Sequence, residues 1–238
     1  MTTLTESPVS LSEAAYQRIR DDIVACRLAP GQYLTEKKLA AEMGLSTSPL
    51  RTALARLANE GLIRTLPRKG YQVSPLSPKS IDDLFVVWEI VGPELIRLGI
   101  ANASDAQIAD AKLAFEELDQ LAHAQGVVET AMQDIEVVNS TFTLLAEATG
   151  NAYLVELYQR LSGDMGRIRA LLLTSDSTIR SAEPAQHWIR NILSERDADV
   201  AAARARSYLE DIHRRVLEAV VRWPSVMTSE VVIQRSQS

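Results

Sequence analysis

The amino-terminal part of the chain carries apolar residues at the three-to-four-residue spacing of an amphipathic helix. This pattern predicts a first helix over residues 12–26, with Ser10 and Glu13 spaced as a capping box at its start. Its apolar stripe consists of Tyr16, Ile19, Ile23 and Cys26. The sequence contains one cysteine, so no disulfide can form within the chain, and Cys26 is interpreted as a small apolar residue of this stripe.

Two further helices follow, joined by a short turn that contains glycine. The second helix opens at Thr35 and ends at Gly44. The third begins at Ser46 or Ser48, accepts proline in its first turn and ends at Gly61. Two helices connected by so short a turn predict a helix-turn-helix motif.

After the third helix, the pattern changes to short runs of residues that favour β-strands. Residues 62–66 and 71–73 flank the basic segment 67–70, which predicts a β-hairpin wing with a basic tip. Residues 1–74 are therefore expected to form a winged helix-turn-helix. Residues 75–80, rich in proline and serine, are expected to form a linker.

The remainder of the chain is helical in pattern. Six helices are predicted, and they are expected to form a bundle over residues 81–223, followed by a tail over 224–238. Gly92-Pro93 is expected to kink the first of them, because proline removes a backbone donor. The predicted helices are 81–102, 105–124, 127–148, 151–175, 183–195 and 198–222. The fold class is thus mostly α: three helices and a hairpin wing, then an all-α six-helix bundle.

The charge is distributed unevenly over these two parts. The whole chain has a net charge of −6, but residues 1–75 carry ten basic and seven acidic side chains, and the remainder carries 15 basic and 24 acidic ones. The first part is therefore +3 and the second −9. Because phosphate repels the acidic part, the amino-terminal part is the candidate DNA-binding region.

The start of the third helix supplies the candidate DNA contacts. A recognition helix enters the major groove with its N-terminal residues first, and Arg51 there can pair bidentately with guanine or clamp a phosphate. Lys37 is expected to touch the flanking backbone, and the wing tip the adjacent minor groove. The alternative is that Ser46 and Ser48 only cap the helix and that the basic side chains are merely solvated. The predicted contacts are Lys37, Ser46, Thr47, Ser48, Arg51, Arg68, Lys69 and Gly70.

The stretch from Tyr16 to Val73 resembles the GntR family of winged helix-turn-helix regulators. It contains PGQYLTEKKLAAEMGLSTSPLRTALARLANEGLI and then the wing segment PRKGYQV. The resemblance implies DNA binding as a homodimer at a short palindromic operator. Family members usually carry arginine where this chain has Thr47, so its preferred site is expected to differ from the common one.

The helical remainder resembles the FCD-type effector domain of the FadR branch, and its six helices resemble the VanR-like subgroup. The matching segments are LAEATGN at 145–151 and ERDADVAAARA at 195–205. Such domains usually hold a divalent metal through one Asp and three His, and the metal anchors a carboxylate ligand. Here the four corresponding positions are Val138, Phe142, Gln186 and Tyr208. We therefore expect no metal and no other cofactor, although His187 lies one residue from a ligand position.

The resemblance also implies an effector pocket at these positions. Ile90, four residues before Glu94, stands where the family usually has arginine, so the pocket is expected to favour an apolar or aromatic molecule. Arg167 and Arg169 could supply a cation for a carboxylate. The alternative is that Phe142 and Tyr208 fill the space and that the domain only dimerises. The predicted pocket residues are Ile90, Glu94, Val138, Phe142, Arg167, Arg169, Gln186 and Tyr208.

Together these patterns predict a transcriptional regulator, with repression the expected mode, whose DNA affinity is modulated by a small molecule. The alternative is an architectural DNA-binding dimer that binds no effector. No catalytic arrangement of Ser, His and Asp and no glycine-rich phosphate loop is present, so an enzyme is not expected. The sequence lacks an apolar run of membrane-spanning length and a signal peptide, which predicts a cytoplasmic protein without membrane contact.

Overall fold

Two compact units make up the chain, Met1–Ser74 and Pro75–Ser238. The computed structural model describes residues 10–126, 130–174, 185–195 and 197–221. The predicted tail over 224–238 lies outside the described residues.

The described residues of the first unit, 10–74, form three helices and a small sheet. The predicted helices are present, with ends that differ from the predicted ones by a few residues at most. The wing is also present, and a two-residue strand that the sequence pattern did not reveal pairs with it. The elements are α1 (Leu11–Val24), β1 (Tyr33–Leu34), α2 (Glu36–Met43), α3 (Thr47–Asn59), β2 (Ile63–Leu66) and β3 (Gly70–Val73).

Local hydrogen bonds explain where α1 and α2 start. The Ser10 hydroxyl accepts from the Glu13 backbone N–H at 3.2 Å, and Thr35 caps α2 in the same way through Lys38. The second half of the predicted capping box at Ser10 is not formed, because the Glu13 carboxylate accepts from Arg56 instead, at 2.9 Å. Gly44 ends α2 in the left-handed conformation, with φ of 64°.

The sheet is antiparallel, in the order β1-β3-β2. Gly70 begins β3 with φ of 92°, and a Cβ atom at this position would lie 2.6 Å from the Leu34 carbonyl oxygen. Glycine is therefore required twice over, by the backbone conformation and by the close approach of β1. The β1 strand escapes sequence patterning because its two residues are defined only by their partners in β3.

The first unit is held together by one apolar core and by a polar junction between α1 and α3. The core joins the inner faces of the three helices to the sheet, with Leu50, Leu54 and Leu57 of α3 completely buried. At the junction, the Tyr16 hydroxyl donates to both oxygens of the Glu60 carboxylate at 2.8 and 2.9 Å. These contacts fix α3 in the unit, and the face of α3 that points away from the core is exposed to solvent.

All the regular secondary structure described in the second unit is helical. Its helices pack around a core in which α4 contacts α6 and α9, and α6 contacts α7. No described helix is both long enough and apolar enough to cross a bilayer. The helices are α4 (Pro78–Asn102), α5 (Asp105–Gln125), α6 (Ala131–Ala148), α7 (Ala152–Thr174), α8 (Ala185–Ser194) and α9 (Ala198–Val221).

The beginning of α4 corrects the predicted linker, which was expected to reach residue 80. A complete capping box starts the helix earlier: the Ser80 backbone N–H donates to the Ser77 hydroxyl at 3.1 Å, and the Ser77 N–H donates to the Ser80 hydroxyl at 2.8 Å. Pro78 is then the first helical residue, a position where its missing N–H costs nothing.

The middle of α4 lies deep in the second unit. The helix continues through Pro93 to Asn102 without a break, so the predicted kink at Gly92-Pro93 stays a prediction. Farther along, a Cβ atom on Gly99 would lie 2.7 Å from the Leu145 carbonyl oxygen of α6. The absence of a side chain at Gly99 therefore sets the close packing of α4 on α6.

Candidate functional site

The exposed face of α3 begins with three hydroxyl side chains. Ser46 is the N-cap residue, and Thr47 and Ser48 open the helix, all three exposed. The Ser46 side chain makes no capping hydrogen bond, so the alternative in which it serves only as a cap is wrong for this residue. The backbone N–H groups at this helix start favour an anion such as phosphate.

Arg51 lies one turn farther along the same face, and 69% of its side chain is exposed. Its Nε donates to Glu36 Oε2 of α2 at 2.8 Å. Glu36 Oε1 in turn accepts from the Tyr71 hydroxyl of β3 at 3.4 Å. Burial and the neighbouring Glu36 carboxylate raise the pKa of Tyr71, which keeps its hydroxyl protonated. The Arg51 side chain is thus exposed to solvent, and its Nε is restrained by the ion pair with Glu36.

The remaining predicted DNA contacts lie next to this Glu36–Arg51–Tyr71 chain. Lys37 follows Glu36 directly and is exposed, and Gly70 precedes Tyr71. At the wing tip, Arg68 and Lys69 are exposed. Arg68 has φ of 64°, and the Lys69 N–H donates to the Leu66 carbonyl at 3.0 Å, which is typical of a tight turn with Pro67 at its second position.

In the second unit, five aromatic side chains meet in the core, one from each of five helices. The chain has three Trp, six Tyr and three Phe, so five of its twelve aromatic residues lie here. The Trp188 and Tyr208 rings stack at 4.1 Å, and Phe142 lies 5.5 Å from Trp88 and 6.3 Å from Trp188 between ring centres. We call this group the aromatic cluster: Trp88, Phe142, Tyr158, Trp188 and Tyr208.

The aromatic cluster includes two of the four positions at which the resemblance places metal ligands. Phe142 belongs to it and Val138 to the surrounding core, and neither side chain has a donor atom. Tyr208 stacks on Trp188, and the side chain of Gln186 lies outside the described residues. No group of three or more His, Cys, Asp or Glu able to hold a metal occurs in the described part of the chain. Val138 and Phe142 therefore cannot ligate the metal that the resemblance implies.

Two predicted pocket residues of α4 are placed on the outside of the second unit. Ile90 is 70% exposed, and the exposed Glu94 accepts from Arg97 Nε at 2.9 Å. The residue that enters the core from this part of α4 is Trp88, which sequence reasoning missed. The assignment of Ile90 was wrong because α4 has apolar residues on its exposed face as well, including Val86 and Val87, so the apolar pattern does not distinguish its two faces.

The two predicted cations of α7 already have carboxylate partners. Arg167 is completely buried, and its Nη1 donates to Asp164 at 2.7 Å. Arg169 forms an ion pair with Asp134, a buried residue of α6. Their charges are therefore compensated within the unit. A carboxylate ligand would compete with these internal pairs.

Sequence reasoning missed Trp88, Tyr158 and Trp188 as members of the aromatic cluster. A signal was available for Trp188, because it comes two residues after Gln186, on the short α8. The distances between the rings, however, depend on how five helices pack, and a single sequence does not contain that information.

Family models match most of the chain. The model for bacterial regulatory proteins of the gntR family matches residues 11–73, and the model of the FCD domain matches residues 83–211. The first match spans the three helices and the wing, and the second spans most of the helical unit.

Curated relatives are regulators as well. The chain is 29% identical over 205 residues to an uncharacterized HTH-type transcriptional regulator of Streptomyces ambofaciens, covering 84% of each chain. It is 28% identical over 159 residues to the HTH-type transcriptional repressor GlaR of Escherichia coli K12, covering 66% of this chain and 72% of the relative.

Solved structures share the fold. A GntR transcriptional regulator from Rhodococcus sp. RHA1 superposes with a TM-score of 0.69 at 20% identity, over 87% of this chain and 98% of that one. Escherichia coli McbR/YncC superposes with a TM-score of 0.66 at 20% identity, over 90% and 98%.

Proposed function

The chain belongs to the GntR family of bacterial regulatory proteins and carries an FCD domain, and from this premise we propose that it represses transcription by binding a specific operator. Its role is thus regulatory rather than catalytic. It acts on chromosomal DNA in the cytoplasm, and a small molecule bound by the helical unit changes its affinity for DNA. The FadR branch and the VanR-like subgroup remain our prediction.

The observation that carries the DNA-binding proposal is the exposed face of α3. Its apolar side is buried in the core, so the outer side with Arg51 is presented by a rigid helix. The exposed hydroxyls at the helix start can donate to phosphate oxygens, and Arg51 can reach a base edge. Two of the curated relatives are named repressors, which supports repression over activation.

A homodimer on a palindromic site follows from the size of the binding surface. One winged helix-turn-helix makes few base contacts, whereas two copies related by a twofold axis double them and match a symmetric operator. We therefore propose that two copies bind half-sites about one helical turn apart.

For the effector, we propose an apolar or aromatic molecule that binds at the aromatic cluster without a metal. Ring stacking and buried area there would replace ion coordination. The indole N–H of Trp188 is buried and has no hydrogen-bond partner among the described residues, so it is a candidate donor to a polar atom of the effector.

A second function is supported by the same packing. Phe142 and Tyr208 stand at two of the positions where the resemblance places metal ligands, and the rings of both pack against Trp188. On this alternative the helical unit only dimerises, and DNA binding does not respond to an effector.

Two measurements test these proposals. Operator binding is measured by selecting duplexes from a randomised library with the purified full-length protein and titrating the selected duplex at fixed salt. We expect one enriched palindrome, and retention of no duplex in dilute buffer would refute DNA binding. For the effector, a thermal-shift screen of aromatic acids, lipids and CoA esters should find a compound that raises the midpoint and changes operator affinity. A midpoint that no compound moves would favour the dimerisation-only alternative.

A further inference from the structure

An acidic side chain stands next to the residue expected to read DNA. Glu36 is the first residue of α2, and its two carboxylate oxygens bind Arg51 of α3 and Tyr71 of β3. A carboxylate near a polyanion weakens binding through charge repulsion. The place of Glu36 on the candidate DNA interface therefore calls for a compensating role.

The geometry of the Arg51 guanidinium indicates that role. This group has five N–H donors in one plane, and Glu36 binds it through Nε. Among the described residues, Arg51 has no other ion pair. The two terminal nitrogens are the donors that pair end-on with O6 and N7 of guanine. The contact with Glu36 leaves these terminal donors without a partner among the described residues, on a side chain that is 69% exposed.

We propose that Glu36 is a positioning residue for base recognition: it fixes the plane and direction of the Arg51 guanidinium, and the Tyr71 hydroxyl fixes Glu36. This inference rests on the proposed function, in which Arg51 contacts a base. The Glu36–Arg51–Tyr71 chain joins α2, the recognition helix and the wing. Glu36 is thereby a determinant of specificity that does not itself contact DNA.

Two physical effects give this arrangement its selectivity. An arginine side chain has many rotamers, and restricting them before DNA arrives lowers the entropy lost when the guanine contact forms. The negative charge of Glu36 also penalises binding wherever no guanine compensates it. Removal of the carboxylate should therefore weaken operator binding and leave non-specific binding equal or stronger. A purely structural residue would weaken both.

The test uses full-length protein and the duplex that wild-type protein selects from a randomised library. Affinities are measured by fluorescence polarisation for this duplex, for the same duplex with 7-deazaguanine at each guanine in turn, and for poly(dI-dC). The variants are Glu36→Ala, Glu36→Gln, Tyr71→Phe and Arg51→Ala. The matched control is Glu42→Ala, which removes the same charge from the exposed face of the same helix. Glu42 Oε1 lies 3.9 Å from Lys38 Nζ.

We expect Glu36→Ala to lower the ratio of operator to non-specific affinity about tenfold, with a wild-type melting temperature. Its sensitivity to one 7-deazaguanine should disappear, because the fixed Arg51 contact is lost. Glu36→Gln should keep part of the ratio, since its amide oxygen can still accept from Nε. Tyr71→Phe should lower this ratio roughly twofold to threefold. Glu42→Ala should keep the ratio within about twofold of the wild-type value.

Three results would overturn the inference. In the first, Glu36→Ala has the same ratio of operator to non-specific affinity as Glu42→Ala, whereas Arg51→Ala has a lower one. The role of Glu36 is then refuted, and the proposed role of Arg51 stands. In the second, Glu36→Ala lowers operator and non-specific affinity in equal proportion, which marks a structural role. In the third, Arg51→Ala keeps the guanine preference, and the proposed role of Arg51 fails together with the inference. If Glu36→Ala does not fold, Glu36→Gln and Tyr71→Phe decide by the same ratio.

Discussion

Arg51 and the wing tip of the amino-terminal unit lie on the surface, whereas Val138 and Phe142 of the helical unit lie in a closed core. In the first unit, the residues that hold the fold and those that would contact DNA occupy opposite faces of α3. In the second, the residues at the family's ligand positions are themselves packing residues. Function and stability should therefore separate under mutation in the first unit and remain coupled in the second.

The largest effect is expected from truncating the aromatic cluster. Phe142→Ala removes a buried ring that contacts three others, and it should lower the free energy of unfolding by about 3–5 kcal/mol. Urea denaturation followed by circular dichroism measures this change. The control is Tyr153→Ala, an aromatic truncation at a residue that is 83% exposed, with an expected change below about 0.5 kcal/mol. Equal losses in both variants would contradict a close-packed cluster.

On the surface of the first unit, the comparison predicts a loss of binding without a loss of stability. Arg51→Ala should weaken operator binding roughly 10- to 100-fold, because a bidentate contact to a base is lost. The melting temperature should stay close to that of wild type, since the ion pair with Glu36 is exposed on one side. Gel-shift titration at fixed salt checks the affinity. Arg18→Ala, an equal loss of charge on α1, should bind the operator nearly as wild type does.

A third substitution tests the close approach of β1 to the wing. Gly70→Ala should destabilise the protein by about 1–3 kcal/mol, because its φ is positive and a Cβ would collide with the Leu34 carbonyl. Gly44→Ala is the matched control, with a positive φ but no atom within 4 Å of the added Cβ. Thermal unfolding of the two variants isolates the collision. Equal midpoints would show that the β1–β3 approach is looser than the structure has it.

The Tyr16–Glu60 junction should give the first unit a dependence on alkaline pH. Burial and the hydrogen bond to Glu60 raise the pKa of Tyr16 to about 12, against an ordinary value of 10. The folded state keeps a proton that the unfolded chain releases, so the stabilisation is complete below pH 10 and is lost as pH rises to about 12. Urea unfolding of wild type and Tyr16→Phe should show their difference shrinking over this range. Tyr33→Phe, on an exposed residue, should show no such trend.

The smallest effect is expected from chelation. Because Val138 and Phe142 offer no metal donor, incubation with EDTA should leave both the melting temperature and the operator affinity unchanged. Elemental analysis of the purified protein is expected to find no stoichiometric zinc, nickel or manganese. About one metal per chain would contradict the view that the family's ligand positions serve here only in packing, since the helical unit would then contain a coordination site.

The sequence predicted the first unit well because local chemistry defines it. Thr35 and Gly44 bound α2 through contacts within one turn, and such contacts are legible in a single sequence. The β1 strand escaped prediction because its pairing is not local. The linker was extended too far because the serines at 77 and 80 were interpreted as flexible, whereas together they start a helix.

In the helical unit, the sequence predicted the six helices that the described residues form, but it placed two exposed residues of α4 in a pocket. The segment has apolar residues on several faces, so the apolar pattern does not show whether Trp88 or Ile90 faces the core. The replaced positions at 138 and 142 were inferred from a resemblance, and the contact of Phe142 with Trp188 depends on the packing of separate helices. Long-range packing of this kind is not encoded in the periodicity of one segment.

The early start of α4 shortens the tether between the two units. Ser74 still donates its backbone N–H to Leu62 in the wing unit, and Leu76 is already buried beside Ile81 and Phe85 in the helical unit. Only Pro75, whose ring restricts φ, lies between these anchors, and two peptide steps span at most about 7 Å. The end of the wing and the start of α4 are therefore joined by a short connection in which proline removes one of the free backbone rotations.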